Sequence, residues 1–338
     1  MLVPGAIRTT GRYVRVAITV LVVLGFLPLL VISGARMAGG HANGTAQIAA
    51  FAPMAGAGWV VALVVLVLLR SWWVAAFAAV LVAVHVFWMA PAVLERLAAN
   101  PVPDGTAWHV LTINAQYGGA DVGELARVVK QRSIDLVAVQ EMTPEFESRF
   151  SAAVEDQLPS HVGYRSGDPA GASGIWARWR LQSEGVLGSE LVMPKVRAAV
   201  PGVGDVQVIG VHALSPIPGR VRAWRKDLIL LANQAGAQPG RQIMLGDFNA
   251  SRDHAPFRQL LSGPLFDAAD ATVLRPWRGL TWPADRRFIP PSVRIDHVLV
   301  SHNDFSVARV RTISINGTDH KGVQVDLVIR ANITGSGA

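Results

Sequence analysis

Gln242-Ile243-Met244-Leu245-Gly246-Asp247-Phe248-Asn249 is the stretch on which the reading of this chain turns. A short apolar run containing β-branched Ile243 reads as a buried strand, and the glycine marks its end. Beyond it a carboxylate and a carboxamide stand two residues apart, both aimed at one point. Far downstream, Thr318-Asp319-His320 adds a second carboxylate and an imidazole. Together these are the groups a metal-assisted, phosphoester-cleaving site requires.

The same pattern recurs on either side. Strand-like apolar segments run Trp108 to Asn114, Ile134 to Gln140, Val206 to His212, Arg294 to Ser301, Val307 to Ile315 and Val323 to Ile329. Segments with helical spacing lie between some of them: Val122 to Arg132, Thr143 to Gln157 and Arg220 to Gln234. Mixed strands with interspersed helices predict an α/β sandwich with helices on both sides.

Polar residues sit where the apolar strands end. Asn114 ends Val110-Leu111-Thr112-Ile113, Glu141 follows Leu136 to Gln140, His212 ends Val208 to Val211, and Asp247 and Asn249 follow Ile243 to Gly246. Asp296 is read differently, as lying inside the strand Arg294 to Val300. Any one of these residues alone is ordinarily a turn former, a helix cap or a satisfied half-buried histidine. Four separate segments ending in this way, with Asp296 in a fifth, point to one place, because α/β scaffolds set their sites on loops at strand ends.

The first hundred residues are of another kind: Ala, Val, Leu, Gly and Trp dominate, with few charges. Apolar runs at about 13–33, 48–69 and 72–94 each approach the ~20 residues that cross a ~30 Å hydrocarbon layer, and predict three transmembrane helices. Pro53 and nearby glycines weaken the second. The first is also read as a cleaved signal peptide, with small residues at Ser33-Gly34-Ala35. Arg8, Arg12 and Arg15 precede the first run, so the positive-inside rule keeps the N-terminus cytoplasmic. Three crossings then place the globular part on the extracytoplasmic side of the cytoplasmic membrane.

Residues 1–99 are accordingly assigned to the membrane region and 100–107 to a proline-stiffened linker. Residues 108–332 are assigned to a catalytic domain and 333–338 to a disordered tail. The net charge of +7 is mostly topogenic: after residue 104 the chain carries 25 Lys+Arg against 22 Asp+Glu. That small excess argues against extended nucleic-acid backbone binding. There is no cysteine, so neither disulfides nor thiolate ligands are available.

The ordered series Asn114, Gln140-Glu141, His212, Gly246-Asp247-Phe248-Asn249, Ile295-Asp296-His297 and Thr318-Asp319-His320 resembles the endonuclease/exonuclease/phosphatase superfamily, which includes DNase I and exonuclease III. The resemblance implies a four-layered α/β sandwich and hydrolysis of phosphoesters with Mg²⁺ or Mn²⁺. It implies that Glu141 is the principal metal carboxylate, with Asn114 beside it and Asp319 also near the metal. Asp296 would orient and charge His320, the general base or phosphate-contacting acid. Asp247 would hold or deprotonate the attacking water, and Asn249 would donate to charge developing on phosphorus. His212 would stabilise or protonate the leaving oxygen.

Two departures qualify the match. Thr318-Asp319-His320-Lys321-Gly322 stands where many members have Ser-Asp-His-x-Pro, and the Trp-Cys-Asp-Arg signature of inositol-polyphosphate phosphatases is missing from a chain with no cysteine. The preceding helices, Gly279 to Pro283 and Pro290 to His297 are most similar to membrane-anchored bacterial members of the teicoplanin-resistance type, which implies a prenyl pyrophosphate of the envelope as substrate.

The expectation is therefore a membrane-anchored, divalent-metal-dependent phosphohydrolase whose partners are the bilayer and a phosphorylated membrane lipid. A surface nuclease or phosphodiesterase acting on nucleic acid is the alternative, and a catalytically silent binding module is the alternative of another class. Arg220, Arg222, Trp224, Arg225 and Lys226 are read either as an anion-binding cluster or as a solvated helix face with Trp224 packed inward. His85 is read as lining a polar path or, in preference, as interhelical packing, and Trp277, Trp282 and Phe288 as rimming the pocket or, in preference, as core.

Overall fold

A computed structural model describes residues 16–97, 105–167, 171–272 and 279–330. Arg8, Arg12 and Arg15, most of the expected linker, Trp277 and the expected tail lie outside the described residues.

The N-terminal region is helical: α1 (Val16–Gly25), α2 (Leu27–Met37), α3 (Thr45–Ala49), α4 (Ala52–Leu68) and α5 (Trp72–Leu97). Three spanning helices were expected, and the helices differ from that. Among the described residues only α5 is by itself long and apolar enough to cross a membrane, over Trp72–Leu94. The α1–α2 pair is bent by 42° and counts as a second span only if taken as one. The run expected over 48–69 is broken between Ala49 and Ala52, because Pro53, lacking an N–H, begins a new helix rather than continuing one. The 17 residues of α4 reach about 25 Å at 1.5 Å each, short of the hydrocarbon layer.

The bent pair lies alongside α5 in constant register. Thr19 Oγ1 meets Ser71 Oγ at 2.9 Å, Ser33 Oγ meets His85 Nε2 at 2.9 Å, and the Arg36 guanidinium lies 4.8 Å above the Trp88 ring centroid. The two hydrogen-bonded pairs are each 52 residues apart. Trp59 Nε1 also donates to Ser33 Oγ at 3.0 Å, so Ser33 knits three helices together. His85 is an interhelical packing residue in this arrangement, buried against Trp88.

The globular part runs β1 (Thr106–Asn114), α6 (Val122–Gln131), β2 (Leu136–Gln140), α7 (Pro144–Val154), β3 (Ser160–Tyr164), β4 (Ser173–Ala177), β5 (Leu181–Val186), β6 (Pro194–Val200) and β7 (Gly204–His212). It continues through α8 (Val221–Ala237), β8 (Gln242–Asp247), α9 (Ala255–Leu261), β9 (Leu265–Asp267), α10 (Ala268–Thr272), β10 (Asp296–Ser301), β11 (Phe305–Ile313) and β12 (Gly322–Ile329). Local chemistry sets several boundaries. Asp121 caps α6 by accepting from Glu124 N at 2.7 Å, and Thr143 caps α7 by accepting from Phe146 N at 3.1 Å, with Pro144 in the first turn.

Two mixed six-stranded sheets result, ordered β11-β12-β1-β2-β4-β3 and β5-β6-β7-β8-β10-β9. Alternation along each strand sorts side chains between two faces. Trp108, Val110, Leu136, Ala138, Val206, Val208, Ile243, Leu245, Val298 and Val325 form the core between the sheets. Leu111, Ile113, Val137 and Val139 point outward onto α6 and α7, while Ile209, Val211 and Met244 point outward onto α8 and α9. The layers are helix, sheet, sheet, helix, as expected for the sandwich.

The helical region is docked onto the globular part. Arg36 Nε donates to Asp253 Oδ1 at 2.8 Å, Ala255 N donates to Gly39 O at 2.7 Å, and His254 Nε2 bonds Ala46 O at 2.6 Å. Ala46 is fully buried in the cluster beneath α8 and α9. Ala50 and Phe51, at the start of α4, pack on Val293, Ile295 and Trp282.

Candidate active site

Continuing the inward alternation to the strand ends places the polar residues. Asn114 follows Val110 and Thr112, His212 follows Val208 and Gly210, Asp247 follows Ile243 and Leu245, and Asp296 precedes Val298 and Val300, all in steps of two toward the space between the sheets. The pairing aligns them: His212 pairs with Asp247, and Asp247 with Asp296. Asp296 was expected inside its strand and instead begins it. Because β10 is antiparallel to β8, its first residue lies at the same edge as the last residues of β7 and β8. Asn114 pairs with Gln140 on the facing sheet, which sets Glu141 next to it.

Gly246 is what lets the row form. Its φ is +151°, and a Cβ there would stand 1.9 Å from Val211 O, so no side chain fits between β7 and β8 at that point. Glu141 and Asn249 hold left-handed backbone at φ 52° and 48°. That conformation is tolerated by Asn but costly for Glu, and it turns the Glu141 carboxylate into the cleft.

Hydrogen bonds join these groups. Asn114 Nδ2 donates to Glu141 Oε1 at 3.0 Å and to Asp247 Oδ2 at 3.2 Å, while its Oδ1 accepts from Gln116 N at 2.9 Å. Asn249 N donates to Asp247 Oδ1 at 2.8 Å, and its Nδ2 donates to Ala213 O at 2.9 Å and Asp247 Oδ2 at 3.3 Å. Asp296 Oδ2 holds His320 Nδ1 at 2.9 Å, which leaves His320 Nε2 3.9 Å from both Asp247 Oδ2 and Asp319 Oδ1. His212 Nε2 lies 3.6 Å from Glu141 Oε1. All eight predicted site residues thus converge on one cleft edge.

The electrostatics follow from burial and crowding. Desolvation, reinforced by the Asp296 charge, pushes the Asp247 carboxyl up to about 7. Burial would lower His320, but Asp296, with Asp247 and Asp319 behind it, pushes the imidazole up to about 10. Glu141 is raised by burial against the opposing hydrogen bond from Asn114 and the His320 charge. So many buried carboxylates in one cleft are a standing cost that a hard divalent cation relieves, and every available donor besides the histidines is oxygen or amide. Asp247, Asp296 and His320 offer ligand atoms within 4.8 Å of one another. Glu141 and Asp319 are close enough for each carboxylate to feel the other. The residues present fit Mg²⁺ or Mn²⁺.

The endonuclease/exonuclease/phosphatase family model matches residues 111–320, which spans every one of these groups. The chain belongs to the endonuclease/exonuclease/phosphatase family. Among solved structures, a family protein from Bacteroides thetaiotaomicron superposes with a TM-score of 0.55 at 17% identity, covering 70% of this chain and 99% of that one. A mannosyl-6-phosphatase from the same organism gives 0.52 at 18% identity, covering 65% and 99%. The D. rerio TDP2 complexed with a single-strand DNA product gives 0.53 at 15% identity, covering 66% and 99%. These likenesses are of fold. No curated protein matches the chain.

Three supporting residues were not given roles from sequence. Trp282 Nε1 donates to Asp319 Oδ2 at 2.9 Å, so this half-buried tryptophan stands at the pocket rim, the less preferred of its two readings. Thr281 Oγ1 accepts from Ile295 N at 3.2 Å and Asp296 N at 3.4 Å, and Thr318 Oγ1 donates to Asn114 O at 2.7 Å. The only signal in the sequence was their adjacency to motifs already singled out. Phe288, also expected in the core, is 86% exposed. Trp224 is fully buried and reaches Phe248 O, as the packed-helix reading had it.

Proposed function

We propose that the protein is a membrane-anchored, divalent-metal-dependent phosphohydrolase that cleaves a phosphoester or pyrophosphate bond of an envelope lipid. The observation that carries the reading is the Asp247–Asp296–His320 cluster facing Glu141 and Asn114 across the gap between two sheets.

In this reading Glu141 holds the ion, with Asn114 and Asp319 beside it. The ion, when bound, supplies charge neutralisation at the phosphoryl oxygens. Asp296 fixes the His320 ring through Nδ1 and keeps it cationic at neutral pH, so Nε2 presents a proton to a phosphoryl oxygen. Of the two roles first considered for His320, the acid is favoured. Asp247, whose proton affinity is raised by burial and the Asp296 charge, accepts a proton from the attacking water. Asn249 commits its amide to Asp247 and Ala213 O, which makes it a positioning residue for that carboxylate. His212, buried at the Glu141 side, stands by the leaving oxygen.

The lipid substrate is supported by the apolar helix α5 and by the docking of α2, α3 and α4 on the domain beside the cleft. Tethering raises the local concentration of a lipid and does little for a diffusible substrate. An extracytoplasmic cleft requires α5 to cross alone, or α1–α2 and α4 to cross with it, with the Arg8, Arg12 and Arg15 end cytoplasmic.

The test is phosphate release from a polyprenyl pyrophosphate by purified full-length protein, with Mg²⁺ and with chelator. Chelator-sensitive release that falls about 10²–10⁴-fold in His320→Ala is expected. Ready cleavage of DNA with no lipid phosphate released overturns the substrate assignment.

A further inference from the structure

The segment Asp285-Arg286-Arg287-Phe288-Ile289-Pro290 is exposed throughout, with Phe288 at 86% and Ile289 at 55%. A Phe-Ile pair held out in water is costly unless something covers it. Here it is carried on a constrained loop. Trp282 and Val293 form a bridge that closes the base, Ser292 N also donates to Trp282 O at 2.8 Å, and Pro290 and Pro291 stiffen the descending arm. Arg286 and Arg287 precede the apolar pair, Arg286 lying 3.3 Å from Asp285 Oδ1, and the Arg287 guanidinium lies 5.3 Å from the Phe288 ring centroid.

Two contacts fix where this finger stands. At its base, Val293 and Trp282 pack against Ala50 and Phe51, where the apolar helix α4 leaves the domain. Beside that base, Trp282 Nε1 and Ala284 N donate to Asp319 Oδ2 and to Asp319 O, at 2.9 and 2.7 Å. One end of the finger therefore belongs to the cleft, and its foot meets the helices at the point where they join the globular part.

We propose that the Phe288–Ile289 finger dips into the lipid–water interface, with Arg286 and Arg287 on anionic headgroups, and so seats the mouth of the cleft on the membrane surface. This rests on the reading of α5 as a membrane span. An aromatic and an aliphatic side chain next to two guanidinium groups is the composition of an interfacial anchor, apolar atoms entering the acyl boundary while cations stay with phosphates. A protein partner would bury the apolar pair equally well, but neither the two arginines nor the adjacent root of α4 would then be accounted for. The finger gives a lipid phosphate a short path from headgroup depth to His320.

The natural chain has no cysteine, so single labels report single places. Phe288→Cys, Val80→Cys in α5 and Glu155→Cys at the end of α7 are each labelled with an environment-sensitive fluorophore. Each full-length protein is then reconstituted in phosphatidylethanolamine vesicles with or without 30% phosphatidylglycerol, carrying nitroxide-labelled lipid. Expected are quenching at positions 80 and 288 and none at 155, with position 288 more strongly quenched when phosphatidylglycerol is present. Each arginine contributes roughly a fivefold preference for an anionic surface. Quenching at 80 with a water-exposed 288 overturns the finger while leaving the membrane span, and points to a protein partner for the loop. Absence of quenching at both overturns the span and the finger together.

Discussion

Asp247 and His320 are both shifted upward, the carboxyl by burial and the Asp296 charge, the imidazole by the surrounding carboxylates against the opposing effect of burial. For Asp247 the folded value of about 7 exceeds the ordinary carboxylate value of 3.8. The folded protein therefore holds that proton more tightly than the unfolded chain. Its contribution to stability is complete below about pH 4 and is lost as pH rises through 7. His320, raised from 6.5 to about 10, contributes fully below 6.5 and loses that contribution on the way to 10. A divalent cation reverses the Asp247 part, since it binds the deprotonated carboxylates. Melting of the detergent-solubilised protein with and without Mg²⁺ should show a small gain at pH 6 and a larger one at pH 8. In Asp247→Asn the metal-free protein should melt higher at pH 8 than the wild type, and the Mg²⁺ gain should shrink. A Mg²⁺ gain independent of pH, or a lower melting point for Asp247→Asn, would contradict the crowded-carboxylate account. At this scale the sequence was informative about identity: Asn114, Glu141, His212, Asp247 and Asn249 were legible as strand-end residues, Asp296 was placed inside its strand, and Asp319 and His320 stood out as a distant pair. Which hydrogen bond each would make was not, because Asn249 and Trp282 take their partners from strands and loops distant in the chain.

Among the elements, the contacts of α2 and α3 with the segment before α9 matter most. Arg36 and Asp253 are both nearly buried, at 7% and 14% side-chain exposure, and removing either leaves the other charge without its ion-pair partner. Arg36→Ala should cost about 3–5 kcal/mol of docking energy and expose the α2–α3 connection to limited proteolysis near Gly39 to Gly44. The paired change Arg36→Met with Asp253→Leu should restore most of the protection, since an apolar pair of similar volume replaces a buried ion pair without stranding a charge. Equal cleavage in wild type and Arg36→Ala would show that the docking does not depend on the pair. The sequence reading treated these helices as tethers, for a physical reason: Arg36 looks topogenic in a membrane-flanking loop, and Asp253 looks like a turn residue. Their 217-residue separation carries no local signal. Likewise Pro53 was recognised as weakening the second run, but only the structure shows α3 breaking off and entering the domain.

For the whole molecule, the distribution of charge bears on what the cleft accepts. A domain with 25 basic and 22 acidic residues carries too small a basic excess to favour tracking a polyphosphate backbone. Binding of the protein to duplex DNA should therefore be weak at physiological ionic strength, with a shallow dependence on salt. A steep log–log slope, of several released counterions, would revive the nuclease reading.

What the sequence by itself determined is the class of fold, the membrane-like character of the first hundred residues and the inventory of polar groups that line the cleft. These depend on alternation, apolar run length and residue chemistry, all of which are local. What only the tertiary structure decided is the geometry that those groups share. Antiparallel pairing brings the start of β10 to the ends of β7 and β8, Gly246 lets the strands approach, and the helices pack against the foot of the Phe288 finger. Each of these depends on strand pairing and burial between distant segments, and burial is a property of the assembled chain.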